Sequence, residues 1–138
     1  MYNFLFWQKW LLVVSILITV FGILMVVSSF FGGSDSQIDP TFLRDNKIIT
    51  FDAFRQWIYA VLGATMAGWG ICLIFVTHYP FKRKEWWAWN CLTAGLSLWF
   101  VLDTIFSVYA RVYFNAIFNA VLFGLFLLPL IFTRRHFV

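Results

Sequence analysis

The sequence predicts an all-α fold, a four-transmembrane-helix bundle with mainly antiparallel neighbours and both ends in the cytoplasm. Three observations predict it. First, 62% of the 138 residues are hydrophobic and only 12% are charged. A soluble domain carries about twice that share of charge, and one this small cannot hide so much apolar surface inside itself. Second, four apolar runs approach or exceed the roughly 20 residues needed to cross a hydrocarbon core of about 30 Å. Third, the charges and many of the 8 tryptophans gather at the ends of those runs, where a membrane–water interface favours them.

The first run is free of charge from Trp10 to Ser34 and follows Lys9. It exceeds the roughly 7–15 residues of a secretory signal core, and Ser28-Ser29-Phe30-Phe31 is a poor cleavage sequence. It is read as a membrane helix over residues 8–31. Gly32-Gly33-Ser34-Asp35-Ser36 ends it, and an outer loop follows over 32–53. Within that loop, Asp39-Pro40 has the form of a helix N-cap followed by proline at the first helical position, predicting a short surface helix.

The second helix is expected over 54–79, between Arg55 and Lys82. Pro80 should end it near His78-Tyr79, because proline disfavours helical geometry in the residue before it. Phe81-Lys82-Arg83-Lys84-Glu85 is a short basic turn, and Trp86, Trp87 and Trp89 follow as an interfacial belt. The third helix is expected over 87–109, interrupted by one acid, Asp103. A tight turn around Arg111 leads to the fourth, over 114–133. Short turns make the second and third helices, and the third and fourth, antiparallel neighbours, and residues 1–138 are expected to form one integral membrane domain.

Orientation follows from the basic residues. Lys9, Lys82, Arg83, Lys84, Arg134 and Arg135 fall on one side. Arg44, Lys47, Arg55 and Arg111 fall on the other, diluted over the longer loop. The denser side should be cytoplasmic. Asp35, Asp39, Asp45 and Asp52 then lie outside. The net charge of +4 is accounted for by orientation, so no nucleic-acid partner is expected.

Asp103 is the outstanding residue. It lies about two turns inside the outer end of the third helix, roughly 9 Å deep at 1.5 Å per residue. An ionisable side chain at depth normally faces the bundle and has a partner. On a helical wheel Asn90, Thr93, Ala94, Ser97, Asp103, Thr104 and Ser107 share one half, which should face protein. Leu98, Leu102, Ile105 and Phe106 share the other, which should face lipid. Asn115 and Asn119 are four apart and therefore on one face of the fourth helix, with Asn119 near the depth of Asp103. Arg55 is placed to reach inward and neutralise the acid. Asp103, Thr104, Asn115, Asn119 and Arg55 thus form a candidate polar intramembrane site. It reads either as interhelical glue or as a ligand or proton site opening outward.

The second helix carries Ala60, Ala64 and Gly68 at four-residue spacing, with Gly63, Ala67 and Gly70 beside them. Small residues let helix backbones approach closely in lipid. Ala60, Ala64 and Gly68 are the candidate packing face, either within the chain or between two copies.

Catalytic motifs are absent: there is no HExxH, GxSxG, P-loop or dinucleotide fingerprint. Cys72 and Cys91 lie in apolar runs with no CxxC, and read as small apolar residues. No cofactor or metal site is predicted, and an enzyme is not expected. Trp87-Ala88-Trp89-Asn90, Leu98-Trp99-Phe100-Val101-Leu102-Asp103-Thr104, Phe114-Asn115-Ala116 and Phe118-Asn119 resemble small bacterial four-helix integral membrane proteins of unassigned function. That resemblance covers about residues 54–135 and implies a fold and a membrane location without an activity. Small multidrug transporters, disulfide-forming quinone reductases and tetraspanins fit poorly, because the acid or the cysteines each requires are missing. The expectation is a multi-pass inner-membrane protein whose partners are the lipid bilayer and either a second copy or another membrane protein. The alternative is a small transporter or ligand-binding protein with an outward-facing site at Asp103.

Overall fold

The computed structural model describes residues 4–31 and 51–137, which contain all four expected helices. α1 is Phe4–Phe31, α2 is Phe51–Val76, α3 is Trp86–Tyr109 and α4 is Tyr113–Thr133. A π turn, Thr77–Phe81, follows α2, and a 3-10 turn, Arg134–His136, follows α4. No strand occurs among the described residues. All four helices are long and apolar enough to cross a membrane, and the chain is an all-α, multi-pass membrane protein. The Gly32-Gly33-Ser34 break, the surface helix at Asp39-Pro40, and Asp35, Arg44, Asp45 and Lys47 lie outside the described residues.

α1 begins at Phe4, one turn before the expected start, and α2 begins at Phe51 rather than 54. Nor does the second helix stop before Pro80. Its α geometry ends at Val76 and continues as the π turn, which contains Pro80. A single π turn lets a helix accommodate a local disruption, and here it carries the chain to Phe81, which is fully buried. Gln8 Nε2 donates to Thr77 O at 3.4 Å where this turn begins.

The chain falls into two compact units, Ile16–Ile71 and the combination of Met1–Ser15 with Cys72–Val138. In the first, α1 buries Ile18, Thr19 and Gly22, and α2 buries Gly63 and Gly70. The two backbones touch. A Cβ added to Gly22 would lie 2.5 Å from Ala67 N and 2.6 Å from Gly63 O. One added to Gly63 would lie 2.6 Å from Gly22 O, and one added to Gly70 would run into Thr19. Only glycine permits this approach.

The face that packs within the chain is therefore Gly63, Ala67 and Gly70, which adjoins the expected Ala60, Ala64 and Gly68. Ala64 and Gly68 are exposed, and a Cβ on Gly68 would meet nothing within 4 Å. The two stripes adjoin on α2, and it is Gly22 and Thr19 of α1 that stand against the Gly63–Gly70 edge.

In the second unit, α3 buries Ala88, Leu92, Leu96 and Ser107, and α4 buries Asn119, Leu122, Phe126, Pro129, Leu130 and Thr133. The apolar half-wheel of α3 faces outward as expected, with Leu98 62%, Leu102 61%, Ile105 64% and Phe106 69% exposed. Ala94, expected on the protein-facing half, is exposed as well. Pro129 lies inside α4 and has no N–H to offer the carbonyl of Leu125. The indole of Trp10, on α1, takes that place, its Nε1 donating to Leu125 O at 3.0 Å. A carbonyl left free in lipid would cost several kcal/mol, so one side chain both satisfies it and ties α1 to α4.

Both tight turns close in the same way. Lys84 N–H donates to Phe81 O at 2.9 Å and Glu85 N–H to Pro80 O at 3.0 Å. Arg111 N–H donates to Val108 O at 3.0 Å and Val112 N–H to Ser107 O at 2.8 Å. These paired bonds form Schellman caps, in which the left-handed position is usually glycine. Here it is basic in both cases, with φ of 60° at Lys84 and at Arg111. A side chain in that region costs about 1–2 kcal/mol.

Candidate functional site in the α3–α4 hairpin

The Arg111 cap brings the end of α3 against the start of α4, and the polar cluster forms just inside it. Asp103 and Ser107 are four apart and so share a face of α3. Ser107 Oγ donates to the backbone carbonyl of Asp103 at 2.7 Å and also lies 3.2 Å from Asp103 Oδ1. Asn115 completes the link from α4. Its Nδ2 donates to Asp103 Oδ1 at 2.9 Å and to Ser107 Oγ at 2.8 Å. The amide has two hydrogens, one for each acceptor, so a single side chain ties the hairpin together at two points. Asp103 and Asn115 are half-buried, and Ser107 is buried.

The structure thus brings together two of the five expected site residues, Asp103 and Asn115. Asn119, the residue at matching depth, is 1% exposed, and its Nδ2 meets no hydrogen-bond partner. The Thr104 hydroxyl is likewise buried without a partner. Arg55 is exposed on the first turn of α2 and belongs to the other compact unit, Ile16–Ile71.

Ser107 is the member that the sequence reading missed as a site residue, although it stood on the polar half-wheel. The signal was its spacing of four from Asp103. Chemically the cluster is a carboxyl group with one oxygen, Oδ1, accepting from Asn115 and lying beside Ser107. The buried Thr104 hydroxyl and Asn119 amide nitrogen retain hydrogen-bonding capacity. Cys72 and Cys91 are free and exposed, and no group of three His, Cys, Asp or Glu side chains able to hold a metal occurs among the described residues. Compared with protein family models, curated proteins and solved structures, the chain has no match in any of the three.

Proposed function

We propose that the chain is a non-enzymatic accessory or interaction protein of a bacterial inner membrane, oriented with both ends in the cytoplasm. The observation that supports it most is how the intramembrane acid is used. Asp103 Oδ1 accepts from Asn115 across its own hairpin, with Ser107 Oγ beside it, which is the behaviour of interhelical glue. Support also comes from α2: its Gly63–Gly70 face is occupied by α1, while the adjoining Ala64 and Gly68 are open to a second helix.

A second reading is a small transporter or ligand-binding protein. The unpartnered polar atoms of Thr104 and Asn119 favour it, because a buried amide without a partner costs about 1–3 kcal/mol and a ligand would relieve that cost. Gentle purification followed by mass spectrometry separates the two. The accessory reading expects a co-purifying copy or membrane protein that survives in Asp103→Asn. A lone monomer, with substrate-dependent stabilisation that disappears in Asp103→Asn, would overturn it. Orientation is tested by membrane-impermeant labelling of single cysteines in intact cells. Ser36→Cys should react and Lys84→Cys should not; the reverse pattern would invert the topology.

A further inference from the structure

Two basic segments far apart in sequence, Lys82-Arg83-Lys84 and Arg134-Arg135-His136, meet at one end of the unit that contains α3 and α4. An aromatic cluster gathers them. Phe4 stacks on Phe81 with ring centroids 5.8 Å apart, and Phe81 meets Phe137 at 4.7 Å. Lys84 Nζ sits 5.3 Å from the centroid of the Phe4 ring. His136 meets the same ring edge-on at 5.2 Å. Arg134 lies over Trp89, its guanidinium carbon 5.7 Å from the ring centroid. All six residues of the two basic segments are exposed.

Gathering five cations in one place is unfavourable unless anions answer them. Among the described residues the nearby acidic side chain is Glu85, and Trp87 Nε1 already donates to it at 2.6 Å. Lys84 occupies a left-handed position at φ 60° where glycine would be unstrained. Trp86 and Trp87 stand exposed beside the turn, and exposed indoles favour the headgroup region.

We infer that this end is a binding surface for anionic phospholipid headgroups. The phosphate is held between the Lys82–Lys84 turn and the Arg134–His136 turn, and the tryptophans border the acyl chains. Basic side chains near an anionic leaflet attract it strongly, with about a fivefold gain in affinity for each cation. The inference does not depend on what the accessory partner is.

The test uses the full chain in neutral detergent micelles, where topology plays no part. Dioleoyl phosphatidylglycerol or dioleoyl phosphatidylcholine is titrated in, and bound lipid is counted by native mass spectrometry. The expected result is preferential retention of phosphatidylglycerol that weakens as salt rises. Lys84→Gly should lower that preference about fivefold, and because it relaxes the left-handed residue it should not unfold the turn. Arg111→Gly is the matched control, removing one charge and the same strain at the other turn, and should leave the preference unchanged. Equal binding of the two lipids would overturn the proposal. So would equal losses in the two glycine variants, which would mean attraction by net charge alone. Competition by inorganic phosphate at millimolar concentration would also overturn it, in favour of a free-phosphate site.

Discussion

The two compact units hold their helices together by different means. In Ile16–Ile71, α1 and α2 meet at Gly22, Gly63 and Gly70, where there is no room for a side chain. In the other unit, the links between helices are polar and aromatic. Asn115 bridges to Asp103 and Ser107, Trp10 and Trp89 donate to carbonyls of α4, and Trp7 stacks on Phe132 at 4.9 Å. Lipid tails are as apolar as leucine, so burying leucine between helices gains little there. Helices associate through close packing or through hydrogen bonds that lipid cannot supply. The glycine contact is intolerant of any added atom. The polar contacts are separable bonds, each worth on the order of 1 kcal/mol.

The largest expected effect falls on the glycine contact. Gly63→Leu forces the α1 and α2 backbones apart and should cost roughly 3 kcal/mol or more, read as a large fall in thermal stability in detergent. The same substitution at Gly68, five residues on, should leave monomer stability within about 0.5 kcal/mol, because a Cβ added there meets nothing within 4 Å. Comparable losses at both positions would erase the distinction between the two faces. A change confined to oligomeric state in Gly68→Leu would sharpen it, by placing a partner helix on the outer face.

A smaller effect is expected in the other unit. Trp10→Phe keeps the ring and removes the N–H that reaches Leu125 O, and should cost about 1 kcal/mol. Pro129→Ala restores a backbone N–H for that carbonyl. In the Pro129→Ala background, Trp10→Phe should therefore cost distinctly less. A double-mutant cycle with no coupling between the two positions would show that the indole serves packing alone.

The four spans, their approximate ends and the lipid-facing half of α3 were readable in the sequence. They depend on apolar length and on a period that one helix imposes by itself. Leu98, Leu102, Ile105 and Phe106 point outward because nothing polar interrupts that stripe. Helix ends were less legible. Phe4 precedes the apolar stretch used to place α1, and its role comes from Phe81 and Phe137, whose approach cannot be read locally. Pro80 was read as a stop by a rule about the preceding residue. The chain instead widened into a π turn, with Phe81 buried beyond it.

Asp103 as a partnered intramembrane acid, with Asn115 on the facing helix, was also legible, since burying an ionisable group in lipid demands a partner. Which partner it takes depends on the register of the hairpin. The Schellman cap at Arg111 sets that register, and it places Asn115 rather than Asn119 against Asp103 and Ser107. The choice of Gly63 over Gly68 is likewise made between helices. The sequence of α2 by itself determines that a small-residue stripe exists, because composition and spacing are local. Only the tertiary structure decides which edge of the stripe is used, since contact between two helices requires Gly22 and Thr19 of α1 to face it at the same height. Single-helix properties are written in periodicity, whereas register between helices is set by turns and by the few atoms that touch.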